Sequence, residues 1–176
     1  MKEELLRSRV TQIKEISDIV IDALKKGGKV MVFGNGGSAS DSQHIAAELV
    51  GRFKKDRSAL PAIALTTNTS IITAIANDYG YEAVFAKQVE ALGQKNDVAI
   101  GISTSGKAKN VAAGIKQAKK MSIKTVALTG GDGGDLAKLA DVSILVPSPV
   151  TARIQEAHIT IGHIICELAE EALSQK

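Results

Sequence analysis

Three histidines are present, and two of them sit in helical patterns with a carboxylate or an amide that could share chemistry with them. In GNGGSASDSQHIAAEL, His44 and Glu48 are four residues apart, so on a helix they occupy one face. Ala46, Ala47 and Leu49 surround that face, and a carboxylate placed there needs a partner or a use. An imidazole beside a carboxylate can serve as an acid–base pair or can ligate a borderline cation. A satisfied ion pair is the plainer alternative. In RIQEAHITIGH, Gln155 precedes His163 along one helix. The two would lie ~12 Å apart on a straight helix, so they could share an ion only if the helix starts late, bends, or uses long side-chain reach.

Two Ser/Gly turns supply a second kind of chemistry. Gly34-Asn35-Gly36-Gly37-Ser38 follows an apolar run and opens a helix, where glycines allow a tight turn and free N–H groups face an anion. Ser38 with Asp41 also has the spacing of a capping box. Ser103-Thr104-Ser105-Gly106 follows another apolar run and offers three hydroxyl donors without added charge. Either turn alone could be no more than a capped connection; two at one sheet edge point to a phosphate cradle. Gly101 to Ala108, GISTSGKA, nearly fits a P-loop, but Ala108 lacks the hydroxyl that would reach magnesium and Gly101 falls inside an expected strand.

These groups need a scaffold, and strands and helices alternate along the chain. Residues 2–26 read as a long helix with a seam of Leu6, Val10, Ile13, Ser17, Val20 and Leu24, flanked by Leu5, Ile16 and Ile19. Such a helix has apolar surface for its own sheet and for a second subunit. Expected strands cover 29–34, 62–67, 97–103, 123–129 and 142–147. Expected helices cover 38–53, 69–76, 82–92, 107–121, a short stretch ending at Ala140, and 150–173. In the last helix Ile154, Ala157, Ile161, Ile164, Ile165 and Leu168 form the core stripe, which His163 interrupts while His158 lies nearer its edge. The fold class is α/β, a three-layer sandwich with a five-stranded parallel sheet flanked by helices, in one domain spanning 1–176. Ligands of such sheets bind at the carboxyl ends of the strands, where both turns fall.

Composition narrows the function. The 176 residues are 44% hydrophobic and only 3% aromatic, with no Trp, which disfavours base-stacking nucleic-acid modules. A formal charge of +3 with interspersed signs shows no polyanion-binding tail but suits a small phosphorylated substrate. The one cysteine, Cys166, lies in an apolar helical run and reads as inert core, which makes a reducing cytoplasm the default setting. No signal peptide and no run long enough to span a membrane is visible.

At GNGGSASDSQHIAAELVGRF, LTTNTSIITAIANDYGYE, ISTSG and TARIQEAHITIGHIICEL, nearly the whole chain resembles the sugar isomerase (SIS) domain family, and within it the phosphoheptose isomerases. The resemblance implies a flavodoxin-like SIS fold and a homotetramer with sites at subunit interfaces. It implies conversion of D-sedoheptulose 7-phosphate to D-glycero-D-manno-heptose 7-phosphate, the first step towards ADP-heptose of lipopolysaccharide core. Carried onto this chain, it makes Glu48 the general base and His163 the acid, with zinc held by His44, Glu48, Gln155 and His163. Asn35, Gly36, Gly37, Glu48, Asn77, Asp78, Ser103, Thr104, Ser105 and Gln155 would line the sugar phosphate, with Arg52 a further candidate. The family usually carries a serine at the position of Ala108, after a Gly-Asn pair that is Gly106-Lys107 here, so one phosphate hydroxyl is lost and Lys107 offers charge instead. A non-catalytic branch of the family binds a replication initiator. It lacks the equivalents of Glu48 and His163, which this chain keeps.

Overall fold

A computed structural model describes residues 9–174, so the first residues of the expected N-terminal helix, with Leu5 and Leu6, lie outside the described residues. The elements run α1 (Val10–Lys25), β1 (Val30–Gly34), α2 (Gly37–Val50), β2 (Ala62–Ala64), α3 (Thr69–Tyr79), one 3-10 turn (Tyr81–Ala83), and α4 (Val84–Leu92). There follow β3 (Val98–Ser103), α5 (Lys109–Lys120), β4 (Lys124–Gly130), α6 (Gly134–Leu139), β5 (Val142–Val146) and α7 (Thr151–Leu173).

The five strands are all parallel, in the order β2-β1-β3-β4-β5. Every residue of VMVFG in β1 and VAIGIS in β3 is buried, as continuous apolar runs require when helices cover both faces. Alternate side chains feed two cores. Val30, Val32, Ile100 and Leu128 join Ile16, Leu49 and Ile161 on one side. Met31, Phe33, Ala99 and Ala127 join Phe85, Ile115 and Leu136 on the other. The layers are therefore α1, α2 and α7, then the sheet, then α4, α5 and α6 with α3 packed against them, a three-layer sandwich as the sequence indicated.

The strand order reverses between β1 and β3, where Gly34, the last residue of β1, is in register with Ile102. In open parallel sheets the ligand crevice opens at this reversal, beyond the carboxyl ends of the strands. Both Ser/Gly turns meet there, while Gly101 lies inside β3 opposite Phe33 and Ala127, where it cannot form a P-loop.

Several boundaries differ from the sequence-based expectation. The buried face of α1 is Ile13, Ile16, Ser17, Val20 and Ala23, while Val10 is exposed, because α1 packs on α7 and β5 with a face rotated from the expected seam. The edge strand β2 stops at Ala64, with one further ladder bond from Leu65 N–H to the Val32 carbonyl. Asn68 then caps α3 by accepting from Ile71 N–H, and the helix runs on to Tyr79. The Ser38–Asp41 capping box does not form. Gly36, at φ 55, is the N-cap of α2, Ser38 is inside the helix, and the buried Asp41 Oδ2 has no hydrogen-bond partner among the described residues. Burial raises the Asp41 carboxyl above its usual range, partly countered by His44. The helix ends at Val50 rather than 53, and α5 begins two residues late, at Lys109, with Ala108 as its N-cap.

Candidate active site

Close approach of α2 and α7 builds the site. A Cβ added at Gly162 would lie 2.7 Å from Ile45 Cγ1, and one added at Gly37 would lie 2.0 Å from Gln155 Nε2. Both helices advance in the same direction between those crossings, so the one carrying His44 and the one carrying His163 run side by side. The absence of side chains at Gly37 and Gly162 permits that distance.

His44 Nε2 lies 3.0 Å from Glu48 Oε1 and 3.3 Å from His163 Nε2. The ligand atoms of all three residues lie within 4.8 Å of one another. Half of the His44 side chain is exposed, whereas Glu48 is three-quarters covered. Phe53 backs the His163 ring, with centroids 5.5 Å apart. One imidazole nitrogen thus faces both a carboxylate oxygen and a second imidazole nitrogen, and a single N–H cannot satisfy two acceptors. A cation at the centre would. An ion bound tetrahedrally at about 2.0–2.1 Å sets its ligand atoms roughly 3.3 Å apart, close to the spacings observed. His, His and Glu suit zinc. Gln155 is placed differently from these three: α7 is helical from Thr151 onward, and the Gln155 amide sits against Gly37, at the start of α2. The late helix start considered for it does not occur.

The first Ser/Gly turn is tied to the start of α5, the helix that follows the second. Asn35 Nδ2 donates to Asn110 Oδ1 at 2.9 Å, and Asn110 Nδ2 donates back to Asn35 Oδ1 at 2.8 Å. Tyr81 Oη donates to the same Asn35 oxygen at 3.1 Å. Asn35 is therefore committed to the protein through its side chain, and Gly36 and Gly37 are left exposed at the helix start. Ser103 is buried at the end of β3, while Thr104 and Ser105 line a cavity of about 350 Å³ with Lys107, Asp132 and Thr151. Lys107 Nζ pairs with Asp132 at 3.1 Å, with both side chains exposed. Asn77 and Asp78 are exposed at the end of α3 and bond each other at 2.8 Å. Arg52 is exposed beyond the end of α2.

The other histidine is reversed from its expected role. His158 is completely buried, its Nε2 3.0 Å from the Thr129 carbonyl, and burial holds its pKa down at about 4, so the neutral ring donates there. It belongs to the core face of α7, whereas His163 turns off that face towards α2. Cys166 is buried as expected; burial first, then the charge of Glu48, pushes its thiol up to about 12.

The SIS domain family profile matches residues 1–130. The phosphoheptose isomerase of Aquifex aeolicus is 58% identical over 165 residues, covering 94% of this chain and 86% of that protein. The chain belongs to the SIS domain family, among its phosphoheptose isomerases. The relative from Nitratiruptor is 61% identical over 156 residues, 89% of this chain and 83% of that protein. The solved phosphoheptose isomerase of Neisseria gonorrhoeae matches with a TM-score of 0.92 and 44% identity, covering 97% of this chain and 91% of that one. That of Francisella tularensis matches at 0.93 and 39%, with the same coverage. No described helix is long and apolar enough to cross a membrane.

Sequence reasoning missed Asn110, Tyr81, Phe53, Arg57 and Glu170. Asn110 carried a faint signal, an amide in the first turn of α5 with no apolar period to serve. The others act through contacts between distant segments that no local pattern reveals.

Proposed function

We propose that this isomerase interconverts D-sedoheptulose 7-phosphate and D-glycero-D-manno-heptose 7-phosphate through a 1,2-enediol, supplying heptose for ADP-heptose and lipopolysaccharide core. The observation that carries the chemistry is the approach of Glu48 and His163 to within 4.8 Å, with His44 beside them. A ketose–aldose shift moves one proton between adjacent carbons and one between their oxygens, so base and acid must sit at neighbouring atoms. Glu48 removes the C1 proton and returns it at C2. His163 gives a proton to the C2 oxygen and takes one from the C1 hydroxyl, leaving the C1 aldehyde. Gly36, Gly37, Ser103, Thr104 and Ser105 hold the remote phosphate and orient the chain. Asn77, Asp78 and Gln155 complete the sugar contacts.

His44, Glu48 and His163, with Gln155 as the fourth candidate, would hold zinc, which would supply polarisation of the sugar carbonyl oxygen. The chain assembles as a homotetramer in the cytoplasm, with neighbouring subunits closing the sites. The three central groups gather within a single subunit, so the partner's part is to cover the pocket and not to deliver the base or the acid. The non-catalytic reading, a protein that binds a replication initiator or senses sugar phosphates, has no use for this cluster. Purified protein should convert sedoheptulose 7-phosphate, while Glu48→Gln and His163→Gln should each lose at least ~100-fold in kcat. Equal inertness of all three, with a protein partner bound, would overturn the proposal.

A further inference from the structure

A buried ion pair lies just behind the site, and the proton transfer described above makes no use of it. Arg57 Nε is 3.3 Å from Glu170 Oε2, and the two side chains are 3% and 2% exposed. Burying two charges costs several kcal/mol per ion unless every remaining polar atom finds a partner. Glu170 finds three, accepting from the backbone N–H groups of Phe53 at 2.9 Å, Lys54 at 2.7 Å and Lys55 at 2.7 Å. Burial alone would raise its carboxyl, but these donors and Arg57 outweigh burial and bring it below the usual range. Arg57 donates through Nη1 and Nη2 to the carbonyls of Glu48 at 2.9 Å, Leu49 at 2.8 Å, Gly51 at 3.1 Å and Ser58 at 3.0 Å, while its buried Nε faces Glu170 as an ion pair without a hydrogen bond among the described residues.

Glu48 and Leu49 contribute carbonyls from the last turn of α2, which an unsupported helix end leaves without partners. Arg57 therefore fixes the turn from which the Glu48 side chain projects. Glu170 lies two turns beyond His163 on α7, and the residue whose N–H it binds, Phe53, sets its ring against His163. One ion pair thus holds the backbone of the base and the aromatic wall of the acid. We propose that Arg57 and Glu170 are positioning residues for the isomerase, fixing the spacing of Glu48 and His163. The inference rests on Glu48 and His163 being the base and acid.

Glu170→Gln tests it, because it keeps the Oε1 acceptor of Lys54 and Lys55 but replaces the oxygen facing Phe53 and Arg57 with an amide donor. The expected result is a kcat lower by about 10–100-fold with KM little changed, the scale seen when groups that orient a site's ligands are lost. His163 ring-proton shifts should move in the same variant. Phe53→Leu keeps every backbone bond and should also lower kcat without a matching fall in Tm; where Glu170→Gln does not fold, it decides alone. A lowered Tm for Glu170→Gln with kcat per folded molecule and His163 shifts unchanged, alongside wild-type turnover by Phe53→Leu, overturns the inference. Wild-type turnover by Glu48→Gln and His163→Gln would instead overturn the proton-transfer reading, and the ring shifts would still decide whether the pair holds the wall of His163.

Discussion

His44 and His163 stand 119 positions apart in the chain, yet their rings meet edge to face with centroids 4.9 Å apart. With Glu48 they converge as two imidazoles and a carboxylate, a donor set that could hold a cation.

Metal content follows from that geometry. Protein purified without chelator should carry zinc near one equivalent per subunit by elemental analysis. Zinc at a hundred times its Kd should stabilise the apoprotein by about 2.7 kcal/mol, visible as a raised Tm. His44→Ala should abolish the Tm response. Dialysis against a chelator should lower turnover, and zinc should restore it. A wild-type Tm indifferent to zinc would refute the cluster as a metal site.

Gly162→Ala tests the helix spacing. The new methyl would meet Ile45, which is 2% exposed and has no room to withdraw. Overpacking costs about 1–3 kcal/mol, against roughly 1 kcal/mol returned by alanine's better helix propensity. Urea denaturation should show a net loss of about 1 kcal/mol, and kcat should fall as α2 and α7 separate. Unchanged stability together with unchanged kcat would show that the contact does not set the spacing.

Acid sensitivity should trace to His158. Its folded pKa of about 4 lies below the unfolded value of 6.5, so the unfolded chain binds the proton first as pH falls. The neutral ring's contribution is complete above pH 6.5 and is lost progressively down to pH 4, amounting to about 3 kcal/mol. His158→Gln, which can still donate to the Thr129 carbonyl, should flatten that part of the stability–pH curve. An identical slope in the variant would assign the acid sensitivity elsewhere.

Ala108→Ser should restore a cap. Ala108 has the extended backbone of an N-cap, φ −70 and ψ 109, but no side-chain acceptor for the first turn of α5. Serine should add about 0.5–2 kcal/mol, read as a rise in Tm. It should also lower KM for the sugar phosphate, since the hydroxyl sits at the edge of the Ser103–Gly106 turn. A KM unmoved by the added hydroxyl would separate capping from phosphate binding at this position.

The order of strands and helices was legible because the apolar runs at 29–34 and 97–103 have the length and continuity of doubly covered strands. Sites in such folds gather where the sheet order reverses, so the pairing of the Gly34–Ser38 and Ser103–Gly106 turns could be anticipated. His44 and Glu48 share a helix face by periodicity alone. The placement of His163 on the core stripe and His158 at its edge is reversed because one rotation of α7 decides which imidazole enters the core, and that rotation is set by contacts with α1, α2 and β4. The capping box does not form because Gly36, at positive φ, caps the helix two residues before Ser38 could. Arg57 and Glu170 were invisible because they lie 113 positions apart and satisfy backbone groups, which leave no trace in residue type.

The mutual amide exchange between Asn35 and Asn110 has a consequence for how substrate is received. It welds the turn after β1 to the first turn of α5 in a single preformed receptor, so the ordering cost of those segments falls on folding and not on each encounter with sugar. Cutting that link should slow capture while leaving the proton-moving groups where they are.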